Sequence, residues 1–148
     1  MSTRSVTIFM DGNEELCRIY RQSDGYPAGM GADLARLCDR RLTNGITHFG
    51  RDAASYDEAN GMPELAALVL CALKNENPVG NIYMQKPNGD VGDWVEYVYV
   101  VRGHEGQKPV IECATHPGEW PFNMQAEDTH VFTGNSQQWE QFLAKQDA

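Results

Sequence analysis

The chain has 148 residues, enough for one domain of ordinary size that buries its own core. A hydrophobic content of 41% with 22% charged residues excludes wholesale disorder, and no uncharged apolar stretch approaches the roughly 18 residues of a membrane helix. The 21 acidic residues outnumber the 12 basic ones, and the resulting net charge of −9 disfavours direct binding of nucleic acid.

The first predicted element is a β-hairpin. Apolar side chains alternate over residues 5–10 and again over 16–22, which is the two-residue period of a strand. The intervening Asp11-Gly-Asn-Glu14 is a typical turn sequence. A segment dense in turn residues follows at 23–31, which we call the bend.

Two helices are predicted next. Met30, Leu34, Leu37 and Cys38 form one apolar stripe at helical spacing. After a polar loop that includes a short strand near residues 46–49, a second helix is expected from a cap at Asn60 through to about residue 73. Its sequence is apolar on every side, so we expect it to be the most buried helix.

The second half returns to a strand pattern. It predicts a meander of three strands, then a long loop over 115–128, an edge strand and a final helix. The three meander strands are expected at 81–85, 94–101 and 109–114, and the edge strand at 130–133. Asn135 and Gln138 have the spacing of a capping box for the last helix, whose apolar stripe is Trp139, Phe142 and Leu143.

This order of elements predicts the fold class. Strands arrive as hairpins and do not alternate with helices, which favours an α+β protein with an antiparallel sheet packed against two to three helices on one face. We see no linker, repeat or low-complexity segment, so the whole of 1–148 is expected to form a single domain.

The segment from Arg18 to Gly31 resembles the motif of a family of small phage, prophage and bacterial proteins: Tyr-Arg-Gln, then Asp-Gly-Tyr-Pro, a small residue, Gly, any residue and Gly. Further matches lie at the Met-Ser-Thr-Arg-Ser start, at 60–62, at 96–99 and at 131–134. The resemblance brings no activity with it. It implies a phage-linked accessory protein, and such proteins often counter host defence by trapping a nucleotide signal or by inhibiting an immune complex.

The bend and the strand before it also supply the candidate ligand-binding site. Seven of the eight arginines lie between Arg4 and Arg51, and arginine suits forked contacts with phosphate or carboxylate. Glycines and free amides at a helix start favour a bound anion, and tyrosines can stack on a base. The predicted ligand-binding residues are Arg18, Tyr20, Arg21, Gln22, Asp24, Gly25, Tyr26, Gly29 and Gly31. The alternative is purely structural: Asp-Gly makes a turn and Tyr26 fills the edge of the core.

Two other functions stay open. The half after residue 74 carries a net charge of −7, which suggests the hypothesis of an inhibitor that imitates nucleic acid and occupies an immune complex. Its candidate carboxylates are Asp90, Asp93, Glu96, Glu105 and Glu112. A small enzyme is less favoured, because the sequence has neither a Gly-x-Ser-x-Gly elbow nor a Cys–His signature.

Cysteine and histidine usage points to no cofactor and no metal. The four cysteines are far apart and lie among apolar residues, so we expect them to be reduced and buried. The histidines lack metal-ligand spacing; the weak candidate is His116 and His130 with Glu119 and Asp128.

The start of the sequence has no apolar run of the kind found in signal peptides, so we expect the protein to act in the host bacterial cytosol without membrane association. If a ligand is enclosed between subunits, we also expect a homo-oligomer.

Overall fold

The alternating segments form two sheets, and three helices pack with them. The computed structural model describes residues 2–45, 57–115 and 120–146. The strands are β1 Ser5–Asp11, β2 Glu14–Arg21, β3 Arg41–Thr43, β4 Glu58–Asn60, β5 Ile82–Gln85, β6 Tyr97–Arg102, β7 Val110–Thr115 and β8 His130–Gly134. The helices are α1 Ala32–Leu37, α2 Gly61–Glu76 and α3 Ser136–Gln146, and a π-helical turn at Pro27–Gly31 leads into α1.

The main sheet has six strands in the order β5-β2-β1-β6-β7-β8. This confirms the α+β class and the predicted hairpin. The predicted meander of 81–114 is wrong, because β5 pairs with β2 and not with β6; the consecutive antiparallel strands are β6, β7 and β8. The sheet is mixed, however, because β1 and β6 run parallel while every other neighbouring pair is antiparallel. The parallel pair arises because the chain crosses over through the helices before β6 returns beside β1. The short strands β3 and β4 form a separate parallel pair that the sequence did not indicate.

The two faces of the main sheet are covered differently. Helical residues such as Leu34, Leu65 and Trp139 form a core with Phe9 and Tyr99 on one face. Loop residues, among them Val95 and Met124, cover the opposite face. They pack on the strand side chains of Val6, Ile8, Met10, Val98, Val100 and Ala114. The helices therefore lie on one face, as predicted, and loops close the other.

Three local expectations need correction. Helix α2 buries only one side, and its Cys71 is exposed, because the helix lies across the sheet surface and is not enclosed. Cys17 is only partly buried, so two of the four free cysteines, Cys38 and Cys113, are fully buried. Strand β6 begins at Tyr97, which leaves Trp94 in the preceding turn. The strand expected near residues 46–49 lies outside the described residues.

Helix starts follow local hydrogen bonding. At α3 the capping box is present: the Asn135 amide donates to Gln138 Oε1 at 2.8 Å and the Gln138 amide donates to Asn135 Oδ1 at 3.0 Å. At α2 the side chain of Asn60 does not cap the helix, since its Oδ1 accepts from the Gly45 amide at 2.7 Å.

Within the described ranges, no helix is both long and apolar enough to cross a membrane.

Candidate functional site

The bend is held together by its own backbone. The Gly25 amide donates to the Thr3 carbonyl, the Gly29 amide to the Tyr26 carbonyl and the Met30 amide to the Asp24 carbonyl, each at 2.9 Å. The Tyr99 hydroxyl donates to the Gly25 carbonyl at 2.7 Å from the core side. These amides, which the sequence offered to an anion, are already engaged within the protein.

The glycines of the bend permit close packing. A Cβ added to Gly29 would lie 2.2 Å from the carbonyl oxygen of Asp24, and one added to Gly25 would lie 2.7 Å from Ser5 Cβ. A Cβ on Gly31 would lie 2.8 Å from the Trp139 ring. Each of the three therefore has a packing reason to be glycine that requires no ligand.

The two arginines predicted for this site point away from each other. Arg21 is 6% exposed and binds Asp33 Oδ2 at 2.6 Å and the Ser23 carbonyl at 2.8 Å. Arg18 is 0% exposed and donates from Nη2 to Glu15 Oε1 at 3.0 Å. Since Arg18 and Arg21 lie on opposite faces of β2, no single ligand at the bend contacts both guanidinium groups.

The remaining predicted residues are divided as well. Tyr26 is 40% exposed, and its hydroxyl lies 3.2 Å from Asp24 Oδ1. Gln22 is exposed, and Asp24 adopts a left-handed φ of 60° at the turn. Tyr20 lies on the opposite side of the sheet, with Arg18. Ligand binding by the nine residues as a set stays a prediction, and only Tyr20 among them lines a described pocket.

That pocket has a volume of about 390 Å³ and is lined by Arg4, Tyr20, Met84, Gln85 and Trp94. We call it the Arg4 pocket. Arg4 immediately precedes β1, Tyr20 lies on β2, Met84 and Gln85 lie on the edge strand β5, and Trp94 lies in the turn before β6. The pocket thus gathers five residues from four segments of the chain.

Arg4 supplies its cationic group. The Arg4 carbonyl accepts from the Glu96 amide at 3.0 Å and from the Tyr97 amide at 3.3 Å, which fixes the backbone beside β6. Its Nε is buried and has no hydrogen-bond partner among the described residues. Buried polar groups are nearly always bonded, so this unpartnered Nε is an exception. Because Nε itself has no accessible surface, a ligand in the pocket would have to contact the terminal nitrogens of the guanidinium group.

The aromatic and amide groups of the pocket are positioned by their neighbours. Trp94 is 57% exposed and rests on Gly92, where a Cβ would lie 3.0 Å from the indole and φ is +112°. Gln85 is held at both ends of its amide, because Oε1 accepts from Arg18 Nη1 at 3.2 Å and Nε2 donates to the Val91 carbonyl at 3.0 Å. Buried Arg18 therefore supports the pocket from below without entering it.

A second pocket of about 360 Å³ lies beside Glu15, Arg102, Trp120 and Phe122. Its charged groups are already paired: Glu15 with Arg18, and Arg102 Nε with Glu112 Oε1 at 3.0 Å. The aromatic rings meet edge to face at 5.6 Å and pack against the loop-covered core. The Arg4 pocket is the better candidate because its charge lacks a partner.

Burial suppresses the reactivity of three titratable groups of the core. Complete burial raises the pKa of the Cys38 thiol to about 12, and burial likewise raises the pKa values of Cys113 and Tyr99. Such groups stay protonated and are poor nucleophiles. The described ranges contain no cluster of three or more potential metal ligands; His116 and Glu119 of the weak metal candidate lie outside them.

Sequence reasoning missed Arg4, Met84, Gln85 and Trp94. Their only local signal is residue type, because nothing in the sequence places the edge strand β5 beside β2. Comparison with protein-family models, with curated proteins and with solved structures finds no match to this chain. The resemblance to the phage protein family therefore stays a prediction.

Proposed function

We propose that this chain is a non-enzymatic binding protein that sequesters a small, anionic, nucleotide-like ligand in the Arg4 pocket. The single observation that carries the proposal is the Arg4 side chain, which lines a pocket with exposed Trp94 and partly buried Tyr20 and has no hydrogen-bond or ion-pair partner among the described residues. A guanidinium group is always charged and presents a fork that matches a phosphate.

The other pocket groups favour a ligand that is both anionic and planar. The exposed indole of Trp94 offers a face for stacking, and base–aromatic stacking contributes about 1–3 kcal/mol per base. The Gln85 amide, held by Arg18 and the Val91 carbonyl, keeps a second N–H donor and a second acceptor lone pair. Recognition thus depends mainly on charge at Arg4 and on stacking at Trp94, to which Gln85 can add a hydrogen bond.

Binding is tested by isothermal titration calorimetry with AMP, adenosine and inorganic phosphate. We expect AMP to bind more tightly than either of its parts. Arg4→Ala should weaken AMP at least tenfold, since a hydrogen bond to a charged group contributes about 1.5–3 kcal/mol, and should leave adenosine unchanged. Trp94→Ala should weaken both AMP and adenosine.

The matched control is Arg41→Ala. Arg41 is an exposed arginine on β3 whose Nη2 binds Glu58 Oε2 at 2.7 Å, and it does not line the pocket. Its removal should change none of the three affinities. An absence of AMP binding by the unaltered protein, or an equal loss in Arg41→Ala and Arg4→Ala, contradicts the proposal.

The wider role rests on the family resemblance. We infer a phage or prophage accessory protein that acts in the host bacterial cytosol and lowers the free concentration of a nucleotide signal used in defence. Mass spectrometry of small molecules released from protein purified out of infected cells tests this role. A nucleotide-like anion should accompany the unaltered protein and be absent from Arg4→Ala.

A homo-oligomer is part of the same proposal. Of the six exposed large apolar side chains in the described part of the chain, four lie at β5 or the turns beside it: Val79, Tyr83, Met84 and Trp94. Light scattering during gel filtration measures the mass directly. A monomer at all protein concentrations contradicts this part of the proposal and leaves ligand binding untouched.

The acidic-inhibitor alternative has no single surface to support it. Glu96 precedes β6 and Glu105 follows it, so these carboxylates lie at opposite ends of a strand of six residues. Glu112 is neutralised by Arg102 and also accepts from Gln125 Nε2 at 2.6 Å. Only Asp90 and Asp93 share one exposed loop, and two charges are few for nucleic-acid mimicry.

A further inference from the structure

The aromatic surface of the Arg4 pocket continues onto the edge strand. Tyr83 of β5 lies directly opposite Tyr20 of β2 in the strand register. Their ring centroids are 6.0 Å apart with the planes at 35°, and Tyr83 is 46% exposed. Because opposite residues of paired strands point to the same face, Tyr83 extends the pocket wall sideways.

This extension is the part of the chain most free of negative charge. Residues 77–89 contain no aspartate or glutamate, although the protein as a whole carries 21 acidic residues. Lys74 of α2 places its Nζ 5.8 Å from the Tyr83 ring centroid, where it donates to the Gly80 carbonyl at 3.1 Å and to the Ile82 carbonyl at 3.2 Å. Lys86, which is exposed, follows β5. The β5 surface therefore brings no negative charge of its own to an anionic ligand; the nearest carboxylates after it along the chain are those of Asp90 and Asp93 in the exposed loop before Trp94.

We propose that the ligand is a dinucleotide, and this inference rests on the proposed function. Arg4 binds a phosphate and Trp94 stacks on the first base, while Tyr83 stacks on the second. Tyr83 does not line the Arg4 pocket itself but lies opposite Tyr20, which does, so the second base lies beside the pocket and not on top of the first base. Separated bases on aromatic side chains are the usual arrangement in single-stranded recognition.

Calorimetric titration with the 5′-phosphorylated dinucleotide pApA and with AMP tests the extension. The unaltered protein should bind pApA at least tenfold more tightly than AMP. Tyr83→Ala should remove that advantage and leave AMP affinity within twofold. Tyr83→Phe, which keeps the ring, should retain the advantage, and Tyr26→Ala, which removes an exposed tyrosine at the bend, should change neither affinity.

The outcomes separate this inference from the proposed function. Equal affinities for AMP and pApA would overturn the dinucleotide inference and leave the proposed AMP binding intact. A tighter binding of pApA that persists in Tyr83→Ala would overturn the dinucleotide inference as well. Binding of neither compound overturns both proposals. Titration with the pentanucleotide pApApApApA sets the upper limit: affinity no greater than that of pApA supports a two-base site, and much tighter binding shows that the surface takes a longer strand.

Discussion

The bend and the Arg4 pocket contain the same kinds of side chain but use them in opposite ways. At the bend, Arg21 is bonded to Asp33 and the amides of Gly25 and Gly29 are bonded to nearby carbonyls. At the pocket, Arg4 Nε has no bonding partner among the described residues, and Trp94 is largely exposed. A segment rich in arginine, tyrosine and glycine is therefore no guide to binding until the partners of its polar groups are known.

Arg18 is the strongest test of this comparison, because it belongs to the predicted ligand set and yet is completely buried. Its ion pair with Glu15 is shielded from solvent, with side-chain exposures of 0% and 2%. Arg18→Met leaves a buried carboxylate without its partner and should lower the free energy of unfolding by about 3–5 kcal/mol. Urea denaturation measures the change.

The double variant Glu15→Gln/Arg18→Met is the control for Arg18. Because it removes both charges together, it should recover much of the lost stability, as pairs of similar volume often do. Full stability in Arg18→Met alone would mean that the ion pair is not structural and would return Arg18 to the candidate ligand-binding residues.

Gly29 tests whether the glycines of the bend serve packing. Gly29→Ala brings a Cβ against the Asp24 backbone, which cannot rotate away, and should destabilise the protein by about 1–3 kcal/mol in the same assay. Gly89→Ala is the matched control, since a Cβ there meets no atom within 4 Å. Equal stability of the two variants would show that the bend is loosely packed and open to a ligand.

Arg4 and Tyr26 should give the smallest stability changes and the sharpest contrast in binding. Neither side chain takes part in the core, so Arg4→Ala and Tyr26→Ala should each shift the free energy of unfolding by no more than about 0.5 kcal/mol. Only Arg4→Ala should weaken AMP. If calorimetry finds the loss in Tyr26→Ala instead, the ligand binds at the bend and the pocket assignment is wrong.

The fold was predictable where local patterns are strong. Two-residue alternation placed Val6, Ile8 and Met10 on one face of β1, and the Asn135–Gln138 spacing predicted the capping box of α3. Patterns that depend on distant partners failed. The all-apolar sequence of α2 could not reveal that Cys71 faces outward, because that depends on how much surface the sheet can cover.

Sequence alone determined the class of this protein: its acidic character, its strands and helices, and the turn at the bend all follow from residue type and short-range spacing. Tertiary structure decided which polar groups are already bonded and which are open to a ligand. Pairing of β5 with β2 brings Gln85 level with Arg18, and the turn before β6 adds Trp94 to the same pocket. The physical reason is that hydrogen-bond satisfaction and burial depend on contacts between residues far apart in the chain, and no local pattern encodes them.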